Sequence, residues 1–172
     1  DRDQALREHI RKGVARTDYG RDIRVEFGRR LDWYAMTRTL KPRLVIETGV
    51  DHGVDSCVLA SALLRNAAEG HPGRYVGTDI RREAGQLLAP PYDAVGEILY
   101  GDSVTSLRAL DGPIDLFIND SDHSADYEAL EYETVAPKLS DRAVLLGDNS
   151  HVTDKLSRFA CTMGYAFVFF RE

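Results

Sequence analysis

Cysteine, methionine and tryptophan are scarce in this chain: two, two and one copies in 172 residues. The two cysteines, Cys57 and Cys161, form no metal-ligand spacing and imply no disulfide framework, so a reducing cytosol is the expected compartment. No apolar run approaches the roughly 20 residues of a membrane span, and the first residues do not read as a signal peptide, so membrane insertion is not expected. Net positive charge is lacking too. Lys and Arg number 22 against 28 Asp and Glu, a net charge of −6 that argues against a nucleic-acid-coating protein. What is present is the composition of one soluble globular domain, 43% hydrophobic and 29% charged. A chain of this length buries roughly 70% of the surface its unfolded form exposes, enough for one core without disulfide or zinc staples.

The charge is unevenly placed. Residues 1–30 hold nine basic and six acidic residues, so the acidic excess lies entirely in residues 31–172. The simplest reading of this basic arm is a solvated helix, with a phosphate or partner contact as the alternative. From Leu44 onward short apolar runs alternate with amphipathic stretches, the βα rhythm of a parallel sheet. Strands are predicted over Leu44–Thr48, Arg74–Thr78, Glu97–Tyr100, Ile114–Asn119, Ala143–Gly147 and Tyr165–Phe170. Helices are predicted over Asp55–Asn66, Arg81–Leu88, Val104–Leu110, Ala125–Leu139 and Thr153–Met163, with Pro137 kinking or finishing the fourth. Upstream, Gln4–Val14 and Arg30–Leu40 read as helices, Lys41-Pro42 ends the second, and Thr17–Asp22 reads as a loop. The chain thus divides into an N-terminal helical segment, residues 1–40, and an α/β body, residues 41–172. The leading helices are candidates for covering an active site or for a homo-oligomer contact.

The most informative segment runs from Leu44 to Ser56, where a buried strand enters Glu47-x-Gly49-x-x-x-Gly53. Glycines there allow a sharp turn and a close approach of ligand to main chain, and the following helix offers unpaired N–H groups. A dinucleotide site calls for G-x-G-x-x-G, which is absent. The acid at the strand end suits a ligand with a positive amino group, and an amino acid joined to a nucleoside fits. The second strand ends at Asp79, whose carboxylate can accept from ribose hydroxyls; an ordinary turn or cap aspartate is the alternative. The third ends at Gly101-Asp102-Ser103, suited to an adenine edge. Beyond the fourth and fifth strands lie Asp120-Ser-Asp122-His123 and Asp148-Asn149-Ser-His151. Both ends open on one edge of a parallel sheet, so Asp120, Asp148 and Asn149 can converge as a hard oxygen site for Mg2+, Mn2+ or Ca2+. Acids that cap the next helices are the alternative.

In this order Glu47, Gly49, Gly53, Asp79 and Gly101-Asp102-Ser103 resemble the class I S-adenosylmethionine-dependent methyltransferases over residues 40–165. The resemblance implies a Rossmann-like, doubly wound, mainly parallel sheet. It places Glu47 and Gly49 at the methionine moiety, Asp79 at the ribose, and Asp102 with Ser103 at the adenine. The small hydroxyl residue of that family, usually two places after the second glycine, is Asp55 here, with Ser56 next, so Ser56 is the candidate contact. Six predicted strands against the family's usual seven leave the last strand missing. Asp120, Asp148 and Asn149 are similar to the metal triad of the catechol O-methyltransferases. Asp120-Ser-Asp-His123 resembles the Asp-Gly-Asp-His signature of macrocin-type O-methyltransferases, with Ser121 in place of glycine, and cephalosporin-hydroxylase relatives share a similar acidic arrangement.

The expected reaction is methyl transfer to a hydroxyl of a small molecule such as a sugar, a phenol or another natural product. A divalent ion lowers the pKa of a bound hydroxyl, and a nearby base takes its proton. His123 is the preferred base, since it follows Asp120 by three residues, where the catechol enzymes place a lysine, and imidazole titrates near the working pH. Asp122 and His151 are the other candidates. A nucleotide-binding oxidoreductase and a non-catalytic Rossmann-like subunit are the competing classes.

Overall fold

The structure is a computed structural model that describes residues 3–16, 27–28, 30–122, 124–148 and 150–169. His123, Asn149 and the 17–22 loop lie outside the described residues. Two helices come first, α1 (Gln4–Val14) and α2 (Arg30–Leu40). Then β1 (Leu44–Thr48), α3 (Val54–Ala68), β2 (Arg74–Asp79), β3 (Gly96–Tyr100) and α4 (Ser103–Ala109) follow. The chain continues through β4 (Ile114–Asn119), α5 (Ala125–Val135), β5 (Leu139–Gly147) and α6 (Lys155–Met163).

The five strands form one parallel sheet in the order β3-β2-β1-β4-β5. Strands buried on both faces lose the alternation of a half-exposed sheet, which is why β1 reads as a continuous apolar run with all five residues buried. Its side chains still divide by face. Leu44 and Ile46 join Leu107, Phe117, Tyr132, Val135 and Leu156 on the α4–α6 side. Val45 packs with Trp33, Leu59, Leu63, Tyr75 and Leu116 on the α2–α3 side. Helix α1 covers α3 through Leu6 and Ile10 against Cys57, Val58 and Ala60. Asp3 caps α1 by accepting from the Leu6 N–H at 3.0 Å, and it also pairs with Arg65 of α3 at 2.8 Å. The chain leaves β1 toward β2 on one side and later returns to β4 on the other. The carboxyl ends of β1 and β4 are therefore the switch point, where open α/β sheets form a crevice.

Three expectations change. Residues 81–88 are turns rather than a helix, because Gly85 sits at φ +72° and the local backbone bonds elsewhere. The Gly85 N–H donates to the Asp51 carbonyl at 2.7 Å and the Leu87 N–H to the His52 carbonyl at 3.1 Å, so this segment braces the glycine turn. Residues 165–169 form no strand among the described residues, and Tyr165, Phe167, Val168 and Phe169 are exposed. Among the described residues the sheet has five strands where six were expected. Pro137 ends α5: Val135 is its last residue and a short 3-10 turn, Ala136–Lys138, leads into β5, which starts at Leu139 rather than Ala143. No helix among the described residues is long and apolar enough to cross a membrane.

Candidate active site

The crevice begins where β1 ends. Gly49 has φ +83°, and its N–H donates to the Thr78 carbonyl at 2.9 Å. A Cβ at Gly49 would overlap the carbonyl of Asp120, so this glycine lets the β1 turn lie against the end of β4. Gly53, at φ +91°, is the N-cap of α3 and passes close to Gly85. Both glycines belong to the backbone architecture of the turn as much as to any ligand.

Glu47 lies beneath this turn, fully buried. The Tyr75 hydroxyl donates to its Oε2, Ser56 Oγ bonds the same hydroxyl at 2.8 Å, and Glu47 Oε1 is buried without a hydrogen-bond partner. Burial, with the charges of Asp55 and Asp120 adding to it, pushes the Glu47 carboxyl well above the usual carboxylate range. Arg30, the first residue of α2, pairs through Nε with Asp55 in the first turn of α3. Glu47 and Ser56 thus form a floor below the crevice and line neither of the cavities above it.

Two adjoining cavities occupy the crevice and share Gly49, Asp79 and Ser121. One, about 330 Å³, is lined by Arg30, Asp51, His52, Asp55 and Asp120 among others. The second, about 430 Å³, is lined by Thr78, Ile80, Arg81, Gly101, Asp102, Ser103, Asp122 and Tyr127 besides the shared residues. Asp79 stands between them. One oxygen accepts from the Asp51 N–H at 3.0 Å and the other from the Arg81 N–H at 2.8 Å, so the carboxylate clasps the glycine turn while bordering both cavities. Ile80 beside it is 79% exposed, an apolar surface against which a flat ring can lie. Asp102 caps α4 by accepting from the Thr105 N–H at 2.6 Å, and it also accepts from the Tyr127 hydroxyl at 2.6 Å. Hydrogen bonds from Thr105 and Tyr127 hold its carboxyl below the usual range.

At the far side Asp120 and Asp148 follow the ends of the neighbouring strands β4 and β5; Asp120 lines the smaller cavity and Asp148 lines neither. Asn119 and Gly147 are register partners, and the Asp148 N–H donates to the Asn119 carbonyl at 3.0 Å. Two carboxylates carried on neighbouring strand ends suit a hard divalent cation in donor chemistry. Among the described residues no group of three His, Cys, Asp or Glu is arranged as a metal site. Asp122 accepts from the Ser124 N–H at 2.7 Å ahead of α5, and His151 is exposed.

One residue that the sequence pattern did not single out ties these parts together. Glu131 of α5 is fully buried and accepts from Thr48 Oγ1 of β1, Asn119 Nδ2 of β4, Ser103 Oγ of α4 and Ser121 Oγ. Burial raises its pKa, against the pull of these donors. Its signal in the sequence is the spacing Glu128, Glu131, Tyr132, Val135, which puts two acids on the inward stripe of α5. Tyr127, also outside the sequence pattern, lines the larger cavity one turn earlier.

The sequence over residues 46–150 matches the methyltransferase domain of methyltransferase family 24, which spans β1 to the end of β5. The chain belongs to that family. A search of curated protein sequences finds no match. Among solved structures, this methyltransferase resembles the Podospora anserina methyltransferase PaMTH1 bound to S-adenosylhomocysteine, with 16% identity, 94% of this chain and 79% of that one covered, and a TM-score of 0.70. The O-methyltransferase TomG of Streptomyces achromogenes, involved in tomaymycin synthesis and solved with S-adenosylmethionine, is 20% identical, covering 96% and 80% of the two chains with a TM-score of 0.68. An O-methyltransferase from Bacillus cereus with S-adenosylhomocysteine is 16% identical, covering 95% and 79% with a TM-score of 0.62. At these identities the likeness is one of fold: a Rossmann-like methyltransferase sheet with helices on both faces.

Proposed function

We propose that this methyltransferase transfers the methyl group of S-adenosylmethionine to a hydroxyl of a small molecule. The observation that carries the reading is the pair of adjoining cavities at the β1/β4 switch point, joined at Gly49, Asp79 and Ser121. The larger cavity offers Asp79 for a ribose, and Ile80, Asp102 and Ser103 around a base. The smaller, acidic one suits the cationic end of the same molecule. Solved relatives of this fold hold S-adenosylmethionine or S-adenosylhomocysteine. When bound, S-adenosylmethionine supplies a methyl group activated by a positively charged sulfur.

Asp120 and Asp148 would hold a divalent cation, with Asn149 as the third candidate ligand. Bound there, such a cation would acidify the acceptor hydroxyl. The acceptor's proton goes to His123, or to Asp122 or His151, each of which follows one of these two strand ends in sequence. Gly49 and the Asp79 clasp hold the turn in place so that the reacting groups meet along one line. The acidic body of the chain favours a small hydroxylated acceptor over nucleic acid.

Calorimetry with S-adenosylhomocysteine tests the cofactor: binding by the unmutated protein and its marked loss in Asp79→Ala are expected, and no binding by the unmutated protein refutes the reading. The metal is tested by methyl transfer to a panel of hydroxylated compounds. Chelation and Asp148→Ala should each abolish turnover, and full activity of chelated Asp148→Ala protein would remove the metal from the mechanism.

A further inference from the structure

The smaller cavity has a charge pattern that one side chain completes. Four aspartates, Asp51, Asp55, Asp79 and Asp120, line it together with Arg30, the one lysine or arginine among its described lining residues. Arg30 opens α2, the helix end where the backbone dipole disfavours a cation, so helix stability does not account for it. Its side chain is 28% exposed and its Nε makes an ion pair with Asp55. The planar guanidinium fork matches a carboxylate bidentately.

The methionine end of S-adenosylmethionine carries two positive groups, ammonium and sulfonium, and one carboxylate. Asp51 and Asp79 already pair with Arg81, which lines the neighbouring cavity, and Asp55 pairs with Arg30; the acidic lining complements the cations, and Arg30 is the arginine within this cavity that can meet the carboxylate. We infer that Arg30 binds the carboxylate of the cofactor's amino-acid end and so selects intact S-adenosylmethionine over molecules that carry the adenosyl group without that carboxylate. This rests on the cofactor reading above. It assigns a role to a residue of the N-terminal helical segment, upstream of the stretch that matches the family.

The test is a cycle between one side chain and one ligand group. Calorimetry on the full chain compares S-adenosylhomocysteine with its decarboxylated analogue, S-adenosyl-3-thiopropylamine, which keeps the ammonium, for the unmutated protein and for Arg30→Gln. A charge-assisted carboxylate contact predicts that Arg30→Gln weakens S-adenosylhomocysteine by about 10- to 100-fold and leaves the analogue unchanged. Unchanged binding of S-adenosylhomocysteine overturns the assignment, and so does an equal loss for both ligands, which would mean that Arg30 acts only by shaping the cavity. Should Arg30→Gln fail to fold, Arg30→Lys keeps the charge without the fork and is judged by the same comparison: a loss confined to S-adenosylhomocysteine supports the assignment. If the unmutated protein binds neither ligand, the cofactor reading itself has failed, and the unmutated protein alone reveals this.

Discussion

Replacing Glu131 by alanine removes the acceptor for four donors at once, and the structure indicates what each loss costs. Thr48 and Asn119 are fully buried, so their hydroxyl and amide N–H groups would be left without water or carboxylate. At about 1–3 kcal/mol for each buried donor left unpaired, these two account for about 2–6 kcal/mol. Ser103 and Ser121 line the larger cavity, where water can take the place of the carboxylate, so they add little. Relief from burying a carboxylate, visible in the raised Glu131 pKa, offsets part of the loss. A net destabilisation of about 2–5 kcal/mol is expected, against a typical total of about 5–15 kcal/mol. Glu131→Gln keeps the shape and one acceptor oxygen, and the serine hydroxyls can turn to accept from its amide, so its loss should be about 1 kcal/mol. Urea unfolding at neutral pH measures both, with equal m values as the control that the unfolded states are comparable. A loss below about 1 kcal/mol for Glu131→Ala, or equal losses for the two variants, would refute the view of Glu131 as the acceptor that joins these elements.

Glu47 offers a pH signature. Its folded pKa is raised above 4.5, so its contribution is full below the unfolded value and is lost as pH rises through the folded one. Glu47→Gln should therefore gain stability relative to the unmutated protein as pH rises above the unfolded carboxyl range; parallel stability curves would count against a protonated Glu47. At Gly49 an alanine meets both a left-handed φ and the Asp120 carbonyl, whereas Gly70, at φ +86°, has open space around it. Denaturation should therefore show about 2–5 kcal/mol lost for Gly49→Ala and only about 1–2 kcal/mol for Gly70→Ala, and similar losses would mean the close approach to β4 is not what requires glycine. Tyr75→Phe removes the donor to an already under-satisfied Glu47 and should cost about 1–3 kcal/mol in thermal or urea melts; a neutral result would show that Glu47 finds another partner.

Features carried by neighbouring residues are legible in the amino-acid sequence. β1 and β4 run over the residues that apolar composition marks, α1 and α2 over those that helical spacing marks, and Pro137 stops α5 as its missing N–H requires. The strand-end acids are legible as well, since a parallel sheet delivers every strand end to one edge. Where the fold departs from local pattern, the deciding partner lies far along the chain. Residues 81–88 have helical composition, yet their backbone bonds go to Asp51 and His52. Residues 165–169 have strand composition and no adjacent strand among the described residues.

What the amino-acid sequence determined by itself was the alternation of strands and helices, the glycine turn after β1, and the set of acids at one edge, because each depends on the order of residues along a short stretch. What only the tertiary structure decided was how those acids are used. Asp79 clasps a turn 28 residues away, Glu47 sits beneath the crevice rather than in it, and Glu131 joins residues from 10 to 83 positions distant. Hydrogen-bond partners separated by that much chain leave no periodic mark, and burial, which sets whether a carboxyl holds a charge or a proton, is a property of the packed whole.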